Sequence, residues 1–459
     1  LCPLLTQGAI AALASHGSED LKATYLAKMV SGEWTGTMNL TEPQAGSDLA
    51  ALTTKAVRQE DGTYRIFGTK IYISYGDHDL TDNIVHLVLA RLPDAPAGTR
   101  GISLFLVPKY LVNADGTAGA RNDVVTAGVE HKMGIHASPT CVLKYGEKDG
   151  AVGYLVGEEN RGLAVMFIMM NAARLAVGVQ GVSQAERAVQ RALAYAQERT
   201  QGRGPNGKNG EMSPIIAHAD IRRSLMTMRS MTQAARMICL ATAMELDIAH
   251  HGATEAEREL AAARGALLTP VAKAFSTDVG CEVASLGVQV HGGMGYVEET
   301  GAAQYFRDAR ILPIYEGTNG IQAIDLVTRK LPLANGEVVA QFIGELRETV
   351  QDIRASNQKD FGQMGERLEE AVDALERATR YLGEKLQSDP ELALAGATPY
   401  LRLFGLAAGG VYLGRGALSA VRAGGRSESH DRHVLNARFF AEQIAVCLLY
   451  TSDAADELT

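Results

Sequence analysis

The sequence predicts an α+β chain of several domains, in which a helical entry leads into an all-β middle domain and then into a long helical half. Three observations carry this prediction. A length of 459 residues corresponds to about three domains of ordinary size. Between residues 35 and 155 the apolar residues come in strand-length runs punctuated by Gly, Pro, Asp and Asn. From residue 156 onward they recur at helical spacing over stretches far longer than a strand. With 46% hydrophobic and 21% charged residues, the chain has the composition of a globular protein with a sizeable core.

Leu1 to Val30 reads as two helical pieces, the second opened by Ser18 and its acidic followers ahead of Leu21, Tyr25 and Met29 and ended by Gly32. A short apolar strand then precedes Thr41 to Asp48, a glycine-containing loop whose successive N–H groups and Ser47 suit a phosphate or a flavin edge. Strands are expected at Tyr64 to Phe67, Ile71 to Ser74, Ile84 to Ala90, Ile102 to Val107 and Cys141 to Tyr145, forming a barrel or sandwich. Helical spacing resumes along Leu163, Phe167, Met170 and Ala173 and again along Ala188, Leu193 and Ala196. The apolar run Gly162 to Val179 is interrupted by Asn171 and Arg174, which favours a buried helix over a membrane span. Ser213-Pro214 predicts the start of a helix reaching His251, on the order of 55 Å long, with Gly252 as its stop. Thr254 and Glu257 form a capping box for the next helix, expected to bend or break near Pro270 and to continue to about Val290. Long antiparallel helices of this kind make a four-helix bundle. Beyond Leu331 the pattern is helical again, with a charged amphipathic stretch from Phe361 to Leu386 and a small-residue stretch from Gly405 to Gly416. The expected divisions are therefore 1–34, 35–155, 156–332 and 333–447. The tail 448–459 resembles translated sequencing-adapter read-through and is set aside.

Several function classes are disfavoured. A formal net charge of -9 without a Lys/Arg run argues against nucleic acid. The five cysteines lack C-x-x-C spacing, so neither a zinc site nor a disulfide framework is expected, and a reducing cytoplasm fits. His131 and His136 stand in a loop without a third ligand, so no metal is expected. Gly202 to Asn209 nearly spells a phosphate-binding loop but ends in Asn, contains Pro205 and follows a helix, which makes it a connector. No signal peptide is expected, since no basic segment precedes the first apolar residues.

The stretch with most chemical content is Arg307 to Gln322, RDARILPIYEGTNGIQ, which sets the carboxylate of Glu316 at a joint between an apolar run and a new helical pattern. Ile311, Leu312, Ile314 and Tyr315 surround it with apolar surface, which should raise its pKa toward the range of a general base. Gly317, Thr318 and Asn319 suit a tight turn near a ligand or a helix cap. The bland alternative makes Glu316 an acidic first-turn residue of a helix from Gly320 to Lys330, stabilised by the helix dipole.

Arg307 to Gln322, together with QVHGGMGY at Gln289 to Tyr296 and LTEPQAGSD at Leu40 to Asp48, resembles the acyl-CoA dehydrogenase family in its three hallmark segments, in the family's order. The resemblance implies FAD as cofactor, an acyl-CoA thioester as substrate, and Glu316 as the base that removes the α-proton while flavin takes the β-hydride. It places Leu40, Thr41, Ser47, Tyr72, Ser74, Arg199, Gln289, Gly293 and Thr318 at the flavin, with Arg199 reaching the pyrophosphate of a neighbouring subunit. It places Asn171, Arg174, Tyr315 and Gly317 at the substrate. The thioester oxygen would be bonded by the Glu316 N–H and a flavin ribityl hydroxyl.

The resemblance further implies a homodimer or dimer of dimers and electron-transferring flavoprotein as acceptor. The region 16–43 is similar to the exit of the family's N-terminal helical domain, most of which is expected to be absent here. The helical extension, with GEENRGLAVMFIMMNAAR and LPIYEGTNGIQAIDLVTRKL, resembles the longer branch that includes 3-methylmercaptopropionyl-CoA dehydrogenase. Departures from the pattern are Asn171 for a common Asp, Tyr72 for a usual Trp, Gln304 for Lys or Arg, and Gly320 for a common Gln. An acyl-CoA oxidase with the same base, and a catalytically silent binding scaffold, remain as alternative functions.

Overall fold

The computed structural model of the chain describes residues 1–205, 211–424 and 427–446. The tail 448–459 and residues 206–209 of the glycine-rich connector lie outside them. The chain divides into two compact units, Leu1–Ala173 and Arg174–Thr459.

The first unit opens with helix α1 (Cys2–His16), followed by α2 (Glu19–Leu21) and α3 (Ala27–Ser31), which are joined by a π turn at Lys22–Leu26. The Ser18 side chain accepts a hydrogen bond from the Leu21 N–H, and Gly32 ends the stretch in the left-handed conformation at φ 83°. Among the described residues ten strands follow: β1 (Trp34–Asn39), β2 (Lys55–Arg58), β3 (Tyr64–Ser74), β4 (Asn83–Ala90), β5 (Ser103–Pro108), β6 (Tyr110–Val112), β7 (Ala118–Arg121), β8 (Val124–Val129), β9 (Thr140–Tyr145) and β10 (Ala151–Leu155). Eight of them form one sheet in the order β1-β4-β5-β10-β3-β9-β8 with β2 on the edge of β3, and β6 pairs with β7. The β1–β4 pair is parallel.

Strand alternation divides the apolar residues of this sheet between two cores. Val85, Leu87, Leu89, Leu104 and Leu106 pack with Leu5, Leu13, Tyr25 and Met29 of the helices. Val88, Ala90, Phe105 and Val107 face the other way, onto Ile66, Ile73, Leu143 and Tyr145. β4 is covered on both sides, which is why it reads as an unbroken apolar run; its one polar interior residue, His86, is bonded to Thr37 at 2.7 Å. The expected strands Tyr64 to Phe67 and Ile71 to Ser74 are one strand, with a bulge between Lys70 and Ile73. At that bulge lies an ion pair the sequence did not announce. Lys70 Nζ donates to Glu42 Oε1 at 2.8 Å and to the Leu40 carbonyl at 2.9 Å, with both side chains sealed from solvent. Burial works to raise the Glu42 carboxyl, but Lys70, Thr54 and Thr53 outweigh it and hold the group down at about 2.

Helix α4 (Gly162–Glu198) is long and apolar enough to cross a membrane by length and composition. It is followed by α5 (Ala219–His251), α6 (Glu255–His291), α7 (Ala302–Ala309), α8 (Asn319–Asp325), α9 (Glu337–Ala355), α10 (Met364–Ser388), α11 (Pro390–Ala395), α12 (Ala397–Arg422) and α13 (Glu428–Phe440). α5 begins five residues later than the Ser213-Pro214 cap suggests. Ser213 is engaged instead in a narrow backbone ladder, with Gln201 N–H to its carbonyl at 3.0 Å and its own N–H to Gly202 at 2.9 Å. At the start of α6 the Thr254 hydroxyl accepts from the Glu257 N–H at 3.2 Å, while the Glu257 carboxylate returns to Ala253, one residue before the position a strict capping box uses. α6 does not break at Pro270. The proline removes a bond to the Ala266 carbonyl, but Leu267, Leu268, Val271 and Ala272 are all buried and hold the helix through tertiary packing.

Glycines let α4 and α6 meet backbone to backbone. A Cβ on Gly181 would stand 2.3 Å from the Ser276 carbonyl oxygen, and one on Gly178 would stand 2.6 Å from that of Ala272. This contact fixes the rotation of α6, and with it the direction of Lys273. The small-residue stretch of α12 serves the same end, with Gly409 against Ala234 and Gly405 against Phe275. Helices α9 to α13 thereby share one continuous core with α4, α5 and α6.

Gly181→Ala should cost about 1–3 kcal/mol through overpacking against backbone. Gly383→Ala, on an exposed face of α10 with nothing within 4 Å, should gain about 0.5–1 kcal/mol. Urea unfolding of both variants measures the contrast, and equal midpoints would refute the close-contact account. Lys70→Ala should destabilise the chain by about 3–5 kcal/mol, because it strands a buried carboxylate. The double change Lys70→Met with Glu42→Gln should recover much of that loss in the same assay.

Candidate active site

The Glu316 turn is built by two left-handed residues in succession, Glu316 at φ 57° and Gly317 at φ 85°. For a residue bearing a Cβ this conformation costs on the order of 1–3 kcal/mol, so the surroundings must impose it. They do so through backbone anchors. The Asn319 N–H returns to the Pro313 carbonyl at 2.9 Å, Gln322 Nε2 reaches the Glu316 carbonyl at 3.2 Å, and Lys273 Nζ donates to the Gly317 carbonyl at 2.9 Å. Gly317 is required for its angle, and a Cβ there would also stand 2.7 Å from Gln322 Nε2, so that the Gln322 side chain would have to shift. The Thr318 hydroxyl then caps α8, accepting from the Ile321 N–H at 3.3 Å. Glu316 precedes that cap by two residues, so it lies outside the first helical turn.

Desolvation is the main influence on Glu316, pushing its carboxyl up to about 7 against the pull of Arg174 and Lys273. The apolar neighbours expected to cause this contribute unequally: Leu312 is buried, whereas Ile314 is 47% exposed. Tyr315 is turned by a hydrogen bond from its hydroxyl to Gln180 Oε1. Arg174 is itself buried and paired with Asp325 at 3.6 Å, and Asp325 also holds Arg329 at 2.5 Å. Burial lowers the Arg174 pKa, and the fields of Asp325 and Glu316 oppose that shift.

The second unit thus brings Arg174, Tyr315, Glu316, Gly317 and Thr318 into one neighbourhood. Gln289 and Gly293 are exposed at the end of α6, and a Cβ on Gly293 would meet nothing within 4 Å. Arg199 is exposed just beyond α4. In the first unit, the Ile71 N–H to Thr41 carbonyl bond at 3.0 Å and the Lys70 bond to Leu40 draw the 40–42 segment onto β3. This places Leu40 and Thr41 beside the bulge that carries Tyr72 and leads to Ser74. Tyr72 is held at φ 60° and is 61% exposed. Ser47 is exposed in the loop, and Asn171 is exposed on α4. Gln304 donates to Asp308 at 3.4 Å, and Gly320 is exposed.

Sequence reasoning missed Lys273, Gln322 and the Lys70–Glu42 pair. The signal was present in outline, as single lysines inside the largely apolar runs Leu267 to Phe275 and Ile66 to Ile73. Among the described residues no cluster of three potential metal ligands occurs.

Residues 37–146 match the model of the acyl-CoA dehydrogenase middle domain, 160–331 that of the acyl-CoA dehydrogenase C-terminal domain, and 342–456 a model described as acetyl-CoA dehydrogenase C-terminal like. The chain is 50% identical over 449 residues to the 3-methylmercaptopropionyl-CoA dehydrogenase of Ruegeria pomeroyi, covering 97% of this chain and 76% of that protein. Among solved structures, Caenorhabditis elegans ACDH-11 in complex with C11-CoA has a TM-score of 0.80 at 23% identity, over 96% of this chain and 71% of that one, a likeness of fold. A Bacillus anthracis acyl-CoA dehydrogenase complexed with FAD has a TM-score of 0.77 at 25% identity, over 96% and 73%. With this fold, and with half its residues shared over nearly its whole length with a named dehydrogenase, the chain belongs to the acyl-CoA dehydrogenase family of oxidoreductases.

Proposed function

We propose that the chain carries out FAD-dependent α,β-dehydrogenation of an acyl-CoA thioester, with Glu316 as the base that takes the α-proton. The observation that carries this reading is the desolvated carboxylate on a strained turn, poised at about 7. A general base works best when its pKa lies near the operating pH, and this carboxylate does so without an ion-pair partner within 4.0 Å among the described residues. The Glu316 N–H donates to no protein group among the described residues, which suits it to the thioester oxygen, where negative charge develops as the α-proton leaves.

The residues assigned to FAD fit the group in chemical character. Tyr72 offers an exposed aromatic face, Leu40 and Thr41 lie beside it on an internally satisfied backbone, Ser74 adds a hydroxyl, and Gly293 leaves space for close backbone approach. FAD, when bound, supplies the hydride acceptor. Arg199, as an exposed guanidinium, suits a pyrophosphate, and its resemblance to a donor that serves a neighbouring subunit supports a homodimer. Arg174, committed to Asp325, acts on the substrate side through the charge it sets beside Glu316. The 50% identity to 3-methylmercaptopropionyl-CoA dehydrogenase favours a short thioether acyl-CoA over a long fatty acyl-CoA, and electron-transferring flavoprotein is the acceptor that fits a dehydrogenase of this kind.

Anaerobic bleaching of the flavin by a panel of acyl-CoAs tests the substrate, with fastest bleaching expected from 3-methylmercaptopropionyl-CoA; no bleaching by any acyl-CoA would sink the reading. Glu316→Gln should keep FAD bound and lower turnover by ~10²- to 10⁴-fold. A change in stability with turnover intact would return Glu316 to a structural role. Because the folded carboxyl titrates near 7, the ionised base disappears as pH falls through that value. The kcat/KM profile should therefore have an acid limb near pH 7, and a limb at the ordinary Glu value of about 4.3 would contradict the desolvation argument.

A further inference from the structure

Lys273 is fully buried at the middle of α6, yet it forms no ion pair among the described residues. Its two bonded acceptors are neutral oxygens, and both belong to the Glu316 turn: the Gly317 carbonyl at 2.9 Å and Asn319 Oδ1 at 2.8 Å. Asn319 is locked in turn against the same helix. Its amide nitrogen donates to the Ala274 carbonyl at 3.1 Å, Thr277 Oγ1 at 3.0 Å and Asp278 Oδ1 at 2.7 Å. An ammonium taken out of water without a counter-ion is costly, and a methionine would fill the space more cheaply. What the ammonium adds is therefore to be sought in the turn it holds.

We propose that Lys273 is the positioning residue of Glu316: it pins the strained turn to α6 through Gly317 and Asn319 and sets a positive charge against the carboxylate. The proposal rests on the reading of Glu316 as the base. The α4–α6 glycine contact orients Lys273 toward the turn rather than toward solvent, because Gly178 and Gly181 of α4 lie against Ala272 and Ser276, the residues flanking it. Burial drives Lys273 down to about 7, while the fields of Asp278 and Glu316 raise it and that of Arg174 lowers it. The groups facing Glu316 are Arg174 on α4 and Lys273 on α6, with Tyr315 beside it on the chain. Of the two cations, Arg174 already spends charge on Asp325, whereas Lys273 bonds to neutral oxygens among the described residues. Glu316 and Lys273 consequently titrate as a coupled pair, and the charge on one sets the apparent pKa of the other.

The test uses FAD-loaded full-length protein carrying Lys273→Gln, which keeps a donor for the Gly317 carbonyl but removes the charge, and Lys273→Met, which removes both. The pH profile of kcat/KM is measured together with an infrared difference titration of the Glu316 carboxyl in substrate-free protein, assigned with Glu316→Gln. Both Lys273 variants should shift the acid limb and the carboxyl titration upward by about one pH unit, which is about a fivefold loss of kcat/KM at pH 7. Lys273→Met should lower kcat further, as the turn loosens. A folded Lys273→Gln protein with limb and titration unmoved would overturn the proposal, and so would failure of both variants to fold, since Lys273 would then serve the helical core alone. If instead Glu316→Gln kept its turnover, the reading of the base would fail while the carboxyl titration still reported on Lys273.

Discussion

A carboxylate held out of water on a left-handed turn is the constraint on which the second unit depends. Two opposed effects set its behaviour. Desolvation disfavours the charged form, and the fields of Arg174 and Lys273 favour it, with the balance left near neutrality. Either effect alone would give a poor base: without desolvation the carboxylate would be weakly basic, and without the cations it would stay protonated at neutral pH. The strained angles of Glu316 and Gly317 belong to the same balance. They hold the carboxylate in the field of Arg174 and Lys273, and the helices around it supply the anchors that keep the turn in place.

Those anchors reach far into the fold. Gly178 and Gly181 bring α4 and α6 into backbone contact, which places Arg174 and Lys273 on elements fixed relative to each other. Asn319 ties the start of α8 to α6 through three donor bonds, and Gln322 reaches back to the Glu316 carbonyl. The first unit repeats the strategy in a different material. There a buried lysine and a buried glutamate join the 40–42 segment to β3 and hold the bulge from which Tyr72 projects. In both units a buried ammonium bonds to backbone carbonyls beside residues of unusual φ. Such carbonyls cannot be satisfied within a regular ladder, and a flexible four-carbon stem reaches them where a neighbouring N–H does not.

Much of the fold was legible because its signals are local. Ser18 and Gly32 mark helix ends through side-chain capping and a positive φ, and the apolar run of β4 marks a strand covered on both faces. The failures have identifiable competitors. Ser213-Pro214 resembles a helix start, but a two-stranded backbone ladder with Gln201 and Gly202 claims it first. Pro270 resembles a break, but the buried residues on both sides of it hold the helix. β2 and β8 went unread because most of their residues are exposed and carry little apolar pattern. Within the site, Glu316 stood out by its neighbours in sequence. Lys273, about forty residues earlier, did not, because its role depends on a helix contact that no local pattern reports.

The central claim is that the Glu316 carboxylate removes the α-proton of a bound acyl thioester. The most direct measurement is exchange of that hydrogen with solvent deuterium, followed by mass spectrometry on an acyl-CoA analogue whose β-position cannot be oxidised. The account predicts exchange that grows as pH rises through about 7 in the unmodified protein and falls to the solution rate in Glu316→Gln. Undiminished exchange in a folded, FAD-loaded Glu316→Gln protein would contradict it.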